Sequence, residues 1–399
     1  MLNMEKISRR RFIQKSALAS AGTMLVPQFL KAWEKPFAEG DRILIVLQLS
    51  GGNDGLNTII PFRNDIYFQS RPKIAVKPEK ILKVSEELGF NSALEKLRSV
   101  YDQGYMSIIN NVGYPNPDRS HFRSMDIWQS ASPKEYLSTG WIGRFLDANC
   151  DGMEHNAIEI DDTLSLALKG EAIKSMALKD PVKLYKATHN TIFKTIAENQ
   201  PVADADPIVS YLYKTAAETV SSADYIYNQT KTYSSASQYP NSDLGGRLKT
   251  IGTLINSGLN TRVYYAALSG FDTHVNQNGA QERLLTQYSE AVAALIQDLD
   301  SHGNLDRTMI LTFSEFGRRV SENASGGTDH GTANNIFVFG KKLKQAGFFN
   351  STPDLRSLDE GDLVYQVDFR SVYATLLNKW MNADSSKILN EGFPLLSFV

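Results

Sequence analysis

An apolar run at positions 43–49, ILIVLQL, ends abruptly in the glycine-rich stretch SGGNDG. A continuous apolar run of this length followed by turn residues is typical of a strand that is buried on both faces. Further apolar runs alternate along the chain with segments whose apolar residues recur at helical spacing. The predicted strands are 106–113, 261–268, 308–313 and 335–340, and the predicted helices are 92–101, 121–129, 244–257, 281–299 and 369–381. This alternation predicts an α/β fold with a mainly parallel central sheet.

The N-terminal segment differs from the rest of the chain. SRRRFIQK at 8–15 precedes a mildly apolar stretch at 16–30, and its serine, arginine pair, phenylalanine and lysine fit a twin-arginine export signal. A basic start to a surface helix is the alternative. The apolar stretch is shorter than the ~20 residues of a transmembrane helix. We therefore predict a signal peptide at 1–38, export to the periplasm or cell exterior, and the twin-arginine translocase as partner. Contact with the membrane is expected only if the signal is retained.

The composition of the chain narrows the kinds of partner and metal site to be expected. The net charge of −2 gives no reason to expect a nucleic-acid partner. Cys150 is the only cysteine, which excludes an intramolecular disulfide and a cysteine-based zinc cluster. We predict one domain at 39–399. Residues 150–245 interrupt the alternation with short apolar runs, a long helix and a polar connector, and we interpret them as an insertion or cap beside the sheet.

Acidic and histidine residues follow or precede the predicted strands. In a parallel sheet all strand ends of one polarity lie at one edge, where ligands bind. Carboxylates and imidazoles gathered there are typical ligands of Zn²⁺ or a similar divalent cation, and without a cation the acids would raise one another's pKa. The predicted metal ligands are Asp54, Asp272, His274, Glu315, Asp329 and His330.

Three residues have predicted catalytic roles. Ser120 precedes a predicted helix, where backbone N–H groups favour an anion, so it is a candidate nucleophile activated by one or two metal ions. It is equally interpretable as an ordinary N-cap. His121 is a second catalytic candidate and a substitute ligand, and Arg318 or Arg123 is the expected oxyanion clamp.

Each of these stretches has an ordinary structural explanation when it is taken alone. The Asp272–His274 stretch can be a capped turn, Glu315 can pair with Arg318, and Asp329–His330 can be a polar loop. Their joint placement next to successive predicted strands favours a common site.

Five stretches together resemble the DUF1501 family of exported bacterial proteins: LQLSGGNDGLNTIIPF, DRSHFRSMDIWQ, LSGFDTH, TFSEFGRR and GTDHGTANNIFVFG. The resemblance extends from about residue 41 to the C-terminus. It implies a place in the alkaline phosphatase-like superfamily, which includes phosphatases and sulfatases, and therefore a three-layer α/β/α architecture. The positions that match the superfamily's metal ligands and nucleophile are Asp54, Ser120, Asp272, His274, Glu315 and His330.

Two departures from the superfamily's pattern stand out. Phe316 follows Glu315 where a histidine ligand is usual, and only one residue separates Asp272 from His274 where three are more common. A second metal site is therefore in question. No Cys/Ser-x-Pro-x-Arg sequence, Gly-x-Ser-x-Gly elbow or P-loop occurs, which argues against a formylglycine sulfatase, a serine esterase and an NTPase.

These features predict an exported metal-dependent hydrolase that uses a serine nucleophile. The expected substrate is a phosphate or sulfate ester, small or linked to a polymer. Zn²⁺ is the expected cofactor, with Mn²⁺, Mg²⁺ or Ca²⁺ as alternatives and with one or two ions bound. The alternative prediction is a catalytically degenerate binding or assembly protein on the same scaffold.

Overall fold

A computed structural model describes residues 42–150, 154–172, 175–198 and 207–399. The predicted signal peptide at 1–38 lies outside the described residues. In the part of the chain that is described, no helix has the length and apolarity needed to cross a membrane.

The centre of the molecule is a nine-stranded sheet. The strands of the chain are β1 Ile43–Ser50, β2 Ile59–Ile60, β3 Ile81–Lys83, β4 Gly89–Asn91, β5 Met106–Gly113, β6 Ala157–Glu159, β7 Met176–Ala177, β8 Val263–Ser269, β9 Thr308–Phe313, β10 Asn334–Phe339, β11 Gly347–Phe348, β12 Leu358–Asp359, β13 Asp362–Leu363 and β14 Val367–Asp368. The sheet order is β11-β5-β10-β9-β1-β8-β6-β7, with β14 also paired to β5. β10 runs antiparallel to its neighbours β9 and β5, and the other pairings in this sheet are parallel. The predicted mainly parallel sheet is confirmed.

Helices cover both faces of this sheet. They are α1 Asp65–Ser70, α2 Glu95–Asp102, α3 His121–Ser130, α4 Trp141–Asn149, α5 Pro181–Thr188, α6 Thr191–Glu198, α7 Pro207–Thr230, α8 Asp243–Asn256, α9 Gln277–Ser301, α10 Phe369–Thr375 and α11 Ser385–Leu389. A π-helical turn at Leu376–Trp380 extends α10.

Strand β1 shows how the two cores are separated. Its odd-numbered residues from 43 to 49 pack in one buried cluster with α2, α8 and α9, while Leu44 and Val46 pack in a second cluster with α3, α4 and α10. Side chains alternate between the two faces of a strand, so a continuously apolar strand contributes side chains to both cores. This arrangement confirms the three-layer α/β/α architecture.

The segment 150–245 takes part in the main sheet. β6 pairs in parallel with β8, and β7 with β6, so both extend the sheet at its edge. The stretch LSLALKG, which looks like a strand in the sequence, instead contains a 3₁₀ turn at Leu166–Leu168. Part of the predicted insertion is therefore sheet, while α5, α6 and α7 contact one another.

The antiparallel direction of β10 matters for the site. The carboxyl ends of β1, β8 and β9 lie at one edge of the sheet, because these strands are parallel neighbours. β10 runs the opposite way beside β9, so its beginning lies at that same edge. Residues 314–333, which connect β9 to β10, therefore meet the segments that follow β1 and β8.

Candidate metal centre

Three histidines converge on one carboxylate oxygen at this edge. Oδ1 of Asp272, which follows β8, lies 3.1 Å from Nε2 of His274, 3.2 Å from Nε2 of His330 and 3.4 Å from Nε2 of His121. The ligand atoms of His121, Asp272 and His330 all lie within 4.8 Å of one another. Nε2 of His274 lies 2.9 Å from Nε2 of His330. We call Asp272 and these three histidines the histidine cluster.

The other ring nitrogen of each histidine faces an oxygen acceptor. Nδ1 of His121 lies 3.0 Å from Oε1 of Glu315, and Nδ1 of His274 lies 3.2 Å from Oδ1 of Asp329. Nδ1 of His330 lies 2.7 Å from the backbone oxygen of Arg119. Each acceptor favours the tautomer with its proton on Nδ1, which leaves the Nε2 lone pair directed at the centre of the cluster. Metal-binding histidines are oriented in this way in proteins.

Neither three neutral rings nor three protonated rings satisfy these contacts. A neutral imidazole has one N–H, yet each ring has an oxygen near both of its nitrogens. Three imidazolium ions would satisfy the oxygens, but His274 and His330 would then direct two protons at each other across 2.9 Å. Nε2 of His121 is buried and lacks a hydrogen-bond partner among the described residues. A cation between the Nε2 atoms and Asp272 resolves all of these contacts.

The spacing of the cluster also fits a metal. Four ligands at the Zn–N distance of about 2.0 Å form a tetrahedron whose edge is about 3.3 Å. The distances from Oδ1 of Asp272 to the imidazole nitrogens, 3.1, 3.2 and 3.4 Å, match three of the six edges of such a tetrahedron. Three nitrogen donors and one carboxylate suit Zn²⁺ better than Mg²⁺ or Ca²⁺, which prefer oxygen ligands.

Neighbouring charges set the protonation of the cluster. Burial alone would raise the pKa of Asp272, but hydrogen bonds from Arg318 and His330 outweigh it and hold that pKa well below its usual range. Burial lowers the pKa of His330. The hydrogen bond with Glu315 raises the pKa of His121 above that of an ordinary histidine. These shifts favour the cation-binding forms of Asp272 and His330, whereas the raised pKa of His121 favours its protonated form, which does not bind a cation.

Glu315 and Asp329 each face the Nδ1 atom of a histidine of the cluster. Glu315 is fully buried, and its Oε1 is shared between the backbone N–H of Gly51 at 2.8 Å and Nδ1 of His121. Oδ1 of Asp329 faces Nδ1 of His274 and the amide nitrogen of Asn323. Both carboxylates thus orient histidines. That they bind the metal directly stays a prediction.

Asp54 takes part in a different interaction. Its carboxylate is fully buried and forms a 2.7 Å ion pair with Nη1 of Arg71, which is also fully buried. Nε2 of Gln277 donates to the same oxygen at 2.5 Å, and the other oxygen accepts from the backbone N–H groups of Leu56 and Asn57. A guanidinium, an amide and two backbone donors thus bind the acid that the sequence suggested for a metal. We leave Asp54 out of the candidate metal centre.

The glycines after β1 serve close packing. Gly51 and Gly52 have φ values of +116° and +74°, a region that L residues with a side chain rarely adopt. A Cβ atom on Gly51 would lie 2.5 Å from the backbone nitrogen of Asp272, and one on Gly52 would lie 2.4 Å from the ring of Phe316. These glycines therefore let the segments after β8 and β9 approach β1.

The two arginines predicted to bind an oxyanion both make contacts within the protein. The guanidinium of Arg318 is buried and donates to the backbone oxygens of Gly51, Gly52, Phe271 and Thr328 and to Oδ1 of Asp272. Nε and Nη1 each make one of these contacts and Nη2 makes three, and the side chain is fully buried, so the guanidinium binds the protein itself. Arg123 stacks on Tyr136 at 3.9 Å and donates to the backbone oxygen of Pro133. Arg318 holds the segments of the site together, and we assign neither arginine to substrate binding.

Phe316 packs against the cluster. Its ring centroid lies 4.9 Å from that of His121 and 4.7 Å from that of His330. The residue that replaces a predicted histidine ligand thus fixes two ligand rings by packing. Among the described residues the group of His, Cys, Asp and Glu whose ligand atoms all lie within 4.8 Å of one another is His121, Asp272 and His330, and His274 joins it through its contacts with Asp272 and His330.

Ser120 is the N-cap residue of α3 and is exposed. Its side chain makes no capping hydrogen bond, while its backbone N–H donates to Oδ1 of Asp118 at 2.7 Å. The residues on either side of it contact the cluster: His121 belongs to it, and the Arg119 carbonyl faces His330. The interpretation of Ser120 as an ordinary N-cap therefore lacks the hydrogen bond that defines a cap.

Comparisons with known proteins address the family. A family model described as a protein of unknown function, DUF1501, matches residues 182–388, slightly more than half of the chain. The chain belongs to this family. The matched range contains Asp272, His274 and His330 but not Asp54 or Ser120. No curated protein matches the chain significantly.

Several solved structures match the chain at low identity. A sulfatase from Pseudoalteromonas sp. shares 10% identity over 92% of this chain and 72% of its own, with a TM-score of 0.41. The periplasmic domain of EptC from Escherichia coli, in complex with zinc, shares 12% over 77% and 76%, with a TM-score of 0.36. A member of the alkaline phosphatase superfamily from Vibrio parahaemolyticus shares 10% over 87% and 72%, with a TM-score of 0.34. None of these similarities decides the reaction.

Sequence reasoning missed Arg71 and Gln277, which hold Asp54. No pattern in the sequence links Arg71 to Asp54, since the contact forms only when the chain returns after α1. A signal for the glutamines was available: Gln277 and Gln281 are four residues apart, so they share one face of α9. Nε2 of Gln281 donates to Oδ1 of Asn53 at 2.9 Å, beside Asp54.

Proposed function

We propose that this protein is an exported hydrolase of phosphate or sulfate esters that depends on one divalent cation. His121, His274, His330 and Asp272 would hold the cation. The observation that carries the proposal is the convergence of three Nε2 atoms on Oδ1 of Asp272 while each Nδ1 faces an oxygen acceptor. The donor set of three imidazoles and one carboxylate favours Zn²⁺.

Ser120 is the proposed nucleophile. When bound, the cation supplies positive charge that lowers the pKa of a neighbouring hydroxyl and stabilises anionic oxygens. Oγ of Ser120 forms a bond to the phosphorus or sulfur of the ester while the ester bond breaks, and the serine proton ends on the departing alcohol. Water then hydrolyses the seryl ester and restores the hydroxyl. The first N–H groups of α3, which begins at His121, favour the anionic group during both steps.

Export by the twin-arginine pathway belongs to the same proposal. It depends on the SRRRFIQK sequence and the apolar stretch that follows it. The expected substrate is therefore an ester that the protein meets outside the cytoplasm, either free or linked to a polymer.

A second candidate function is a binding or assembly protein that holds one structural cation or none. Two observations favour it. Phe316 fills the position of an expected histidine ligand, and Arg71 satisfies the buried charge of Asp54. A two-cation active site is therefore not formed by these residues.

Turnover of a chromogenic phosphate or sulfate monoester by Zn²⁺-loaded protein separates the two functions. We expect turnover that a chelator abolishes, and we expect Ser120→Ala to lose it while retaining the bound Zn²⁺. Ser242→Ala is a matched control, because Ser242 is an N-cap that does bond to its helix, through the N–H of Gly245. Full activity in Ser120→Ala would remove the serine from the mechanism. Zn²⁺ binding without turnover of either ester would favour the binding protein.

A further inference from the structure

Another buried carboxylate, that of Asp362, lies in the hairpin formed by β12 and β13. Its turn residues, Glu360 and Gly361, both have positive φ, +48° and +89°, as a two-residue type I′ hairpin requires. Asp362 follows them, and its side chain is 1% exposed. Neither of its oxygens accepts a hydrogen bond of good geometry within the described part of the chain. Its charge is instead balanced by Nη2 of Arg119 at 2.5 Å and by Nε of Arg319 at 3.5 Å.

Arg119 connects Asp362 to His330. The backbone oxygen of Arg119 lies 2.7 Å from Nδ1 of His330. Arg119 is therefore anchored at both ends, through its side chain to Asp362 and through its main chain to a histidine of the cluster. Because Ser120 is the next residue, this anchor also affects where the proposed nucleophile lies.

Arg319 connects Asp362 to His274. The backbone N–H of Arg319 donates to the backbone oxygen of Asp329 at 3.1 Å. Oδ1 of Asp329 in turn lies 3.2 Å from Nδ1 of His274. Two chains of contacts thus begin at Asp362, and each ends on the nitrogen that orients one histidine of the cluster.

We propose that Asp362 is a positioning residue for the metal centre and that it orients His330 through Arg119 and His274 through Arg319. The inference rests on the proposed function to the extent that a cation must bind to the histidine cluster. The physical reason is that the carboxylate is shielded from water, which strengthens its attraction for the two guanidinium groups, although these are themselves 37% exposed. Replacing its charge by a neutral amide releases both arginines and with them the acceptors that hold the two rings.

The affinity for Zn²⁺, measured by competition with a chromophoric chelator, tests this inference in the full-length protein. We expect Asp362→Asn to bind Zn²⁺ about tenfold more weakly, as is typical when an outer-shell partner of a metal ligand is lost. The visible absorption of bound Co²⁺ should also change, because it reports the geometry of the ligands. Glu360→Gln is the matched control: Glu360 lies 3.5 Å from the same arginine, but its side chain is 77% exposed. We expect its affinity to equal that of the wild type.

The outcomes distinguish this inference from the proposed function. Failure of the wild type to bind Zn²⁺ would overturn both. Tight binding by the wild type with equal affinities for Asp362→Asn and Glu360→Gln would overturn the role of Asp362 and leave the metal centre intact. If Asp362→Asn does not fold, Arg319→Lys keeps the positive charge but removes the Nε contact. We expect it to weaken Zn²⁺ binding and to change the Co²⁺ spectrum, and an unchanged spectrum would contradict the inference.

Discussion

Asp54 and Asp272 follow two adjacent parallel strands, β1 and β8, and each pairs with a buried arginine at 2.7 Å, yet the rest of their surroundings differ. Asp54 is fully buried and bound to Arg71, while the side chain of Asp272 is 49% exposed and faces three imidazoles. Both carboxylates lie where a ligand is expected at the edge of a parallel sheet. The comparison teaches that the position at a strand end does not decide the role of a carboxylate. Its role depends on all the groups that the rest of the fold places beside it.

Glu159, at the end of β6, adds a third case. It is buried and accepts a hydrogen bond from the backbone N–H of Ser165 at 2.6 Å, but it forms no ion pair among the described residues. Burial raises its pKa to about 7. Asp54 therefore pairs with a guanidinium, Asp272 with a guanidinium and three imidazoles, and Glu159 with no cation among the described residues, and each arrangement has its own measurable consequence.

The largest effect is expected when the ion pair between Asp54 and Arg71 is broken. Arg71→Met leaves a buried carboxylate without its cation, and we expect it to lower the free energy of unfolding by about 3–5 kcal/mol. Urea unfolding followed by circular dichroism measures this loss. The double variant Asp54→Asn/Arg71→Met removes both charges and should recover most of the stability. Equal losses in the single and double variants would show that packing, rather than the ion pair, is the role of Arg71.

Glu159 is expected to have the next largest effect, and its sign follows from the raised pKa. The folded protein keeps the proton up to about pH 7, while the unfolded chain loses it near 4.5. Stability should therefore fall as the pH rises from 4.5 to 7, by about 3 kcal/mol in total. Glu159→Gln cannot ionise and should lack this decline. Parallel pH profiles of unfolding for the two proteins would contradict the expectation.

The smallest effect is expected for Asp329, whose carboxylate faces Nδ1 of His274. Asp329→Asn keeps an oxygen acceptor for Nδ1 of His274 but loses the charge, so we expect Zn²⁺ to bind about tenfold more weakly. Asp306→Asn is a suitable control, since Asp306 is a half-exposed acid paired with Lys342. If Asp329 were itself a ligand, its loss would change the Co²⁺ spectrum strongly. Its assignment as a residue that orients His274 would then be wrong.

The sequence predicted the fold well because the periodicity of apolar residues directly reflects burial. The strand predicted at 308–313 agrees with β9 at both ends, and the helix predicted at 244–257 differs from α8 by one residue at each end. Strand ends also pointed to Asp272, His274 and His330, which the structure brings together. The reverse direction of β10 was not predicted, although it places His330 at the shared edge.

The roles of individual acids were harder to predict. A carboxylate near a histidine can bind the metal itself or orient the ring, and only the three-dimensional structure shows which ring nitrogen it faces. Glu315 and Asp329 belong to the second kind. For Asp54 the deciding residue, Arg71, lies 17 positions away and has no recognisable pattern. His121, predicted mainly as a catalytic residue, lies among the candidate ligands.

Metal content and Zn²⁺ titration of three proteins test the central claim most directly: the wild type, His121→Ala/His330→Ala, and Asp54→Asn/Arg71→Met. We predict one equivalent of tightly bound Zn²⁺ in the wild type, none in the variant without the two histidines, and one in the variant without the buried ion pair. Two equivalents in the wild type, with one lost when Asp54 is replaced, would contradict the assignment of Asp54. Tight binding that survives without His121 and His330 would contradict the metal centre itself.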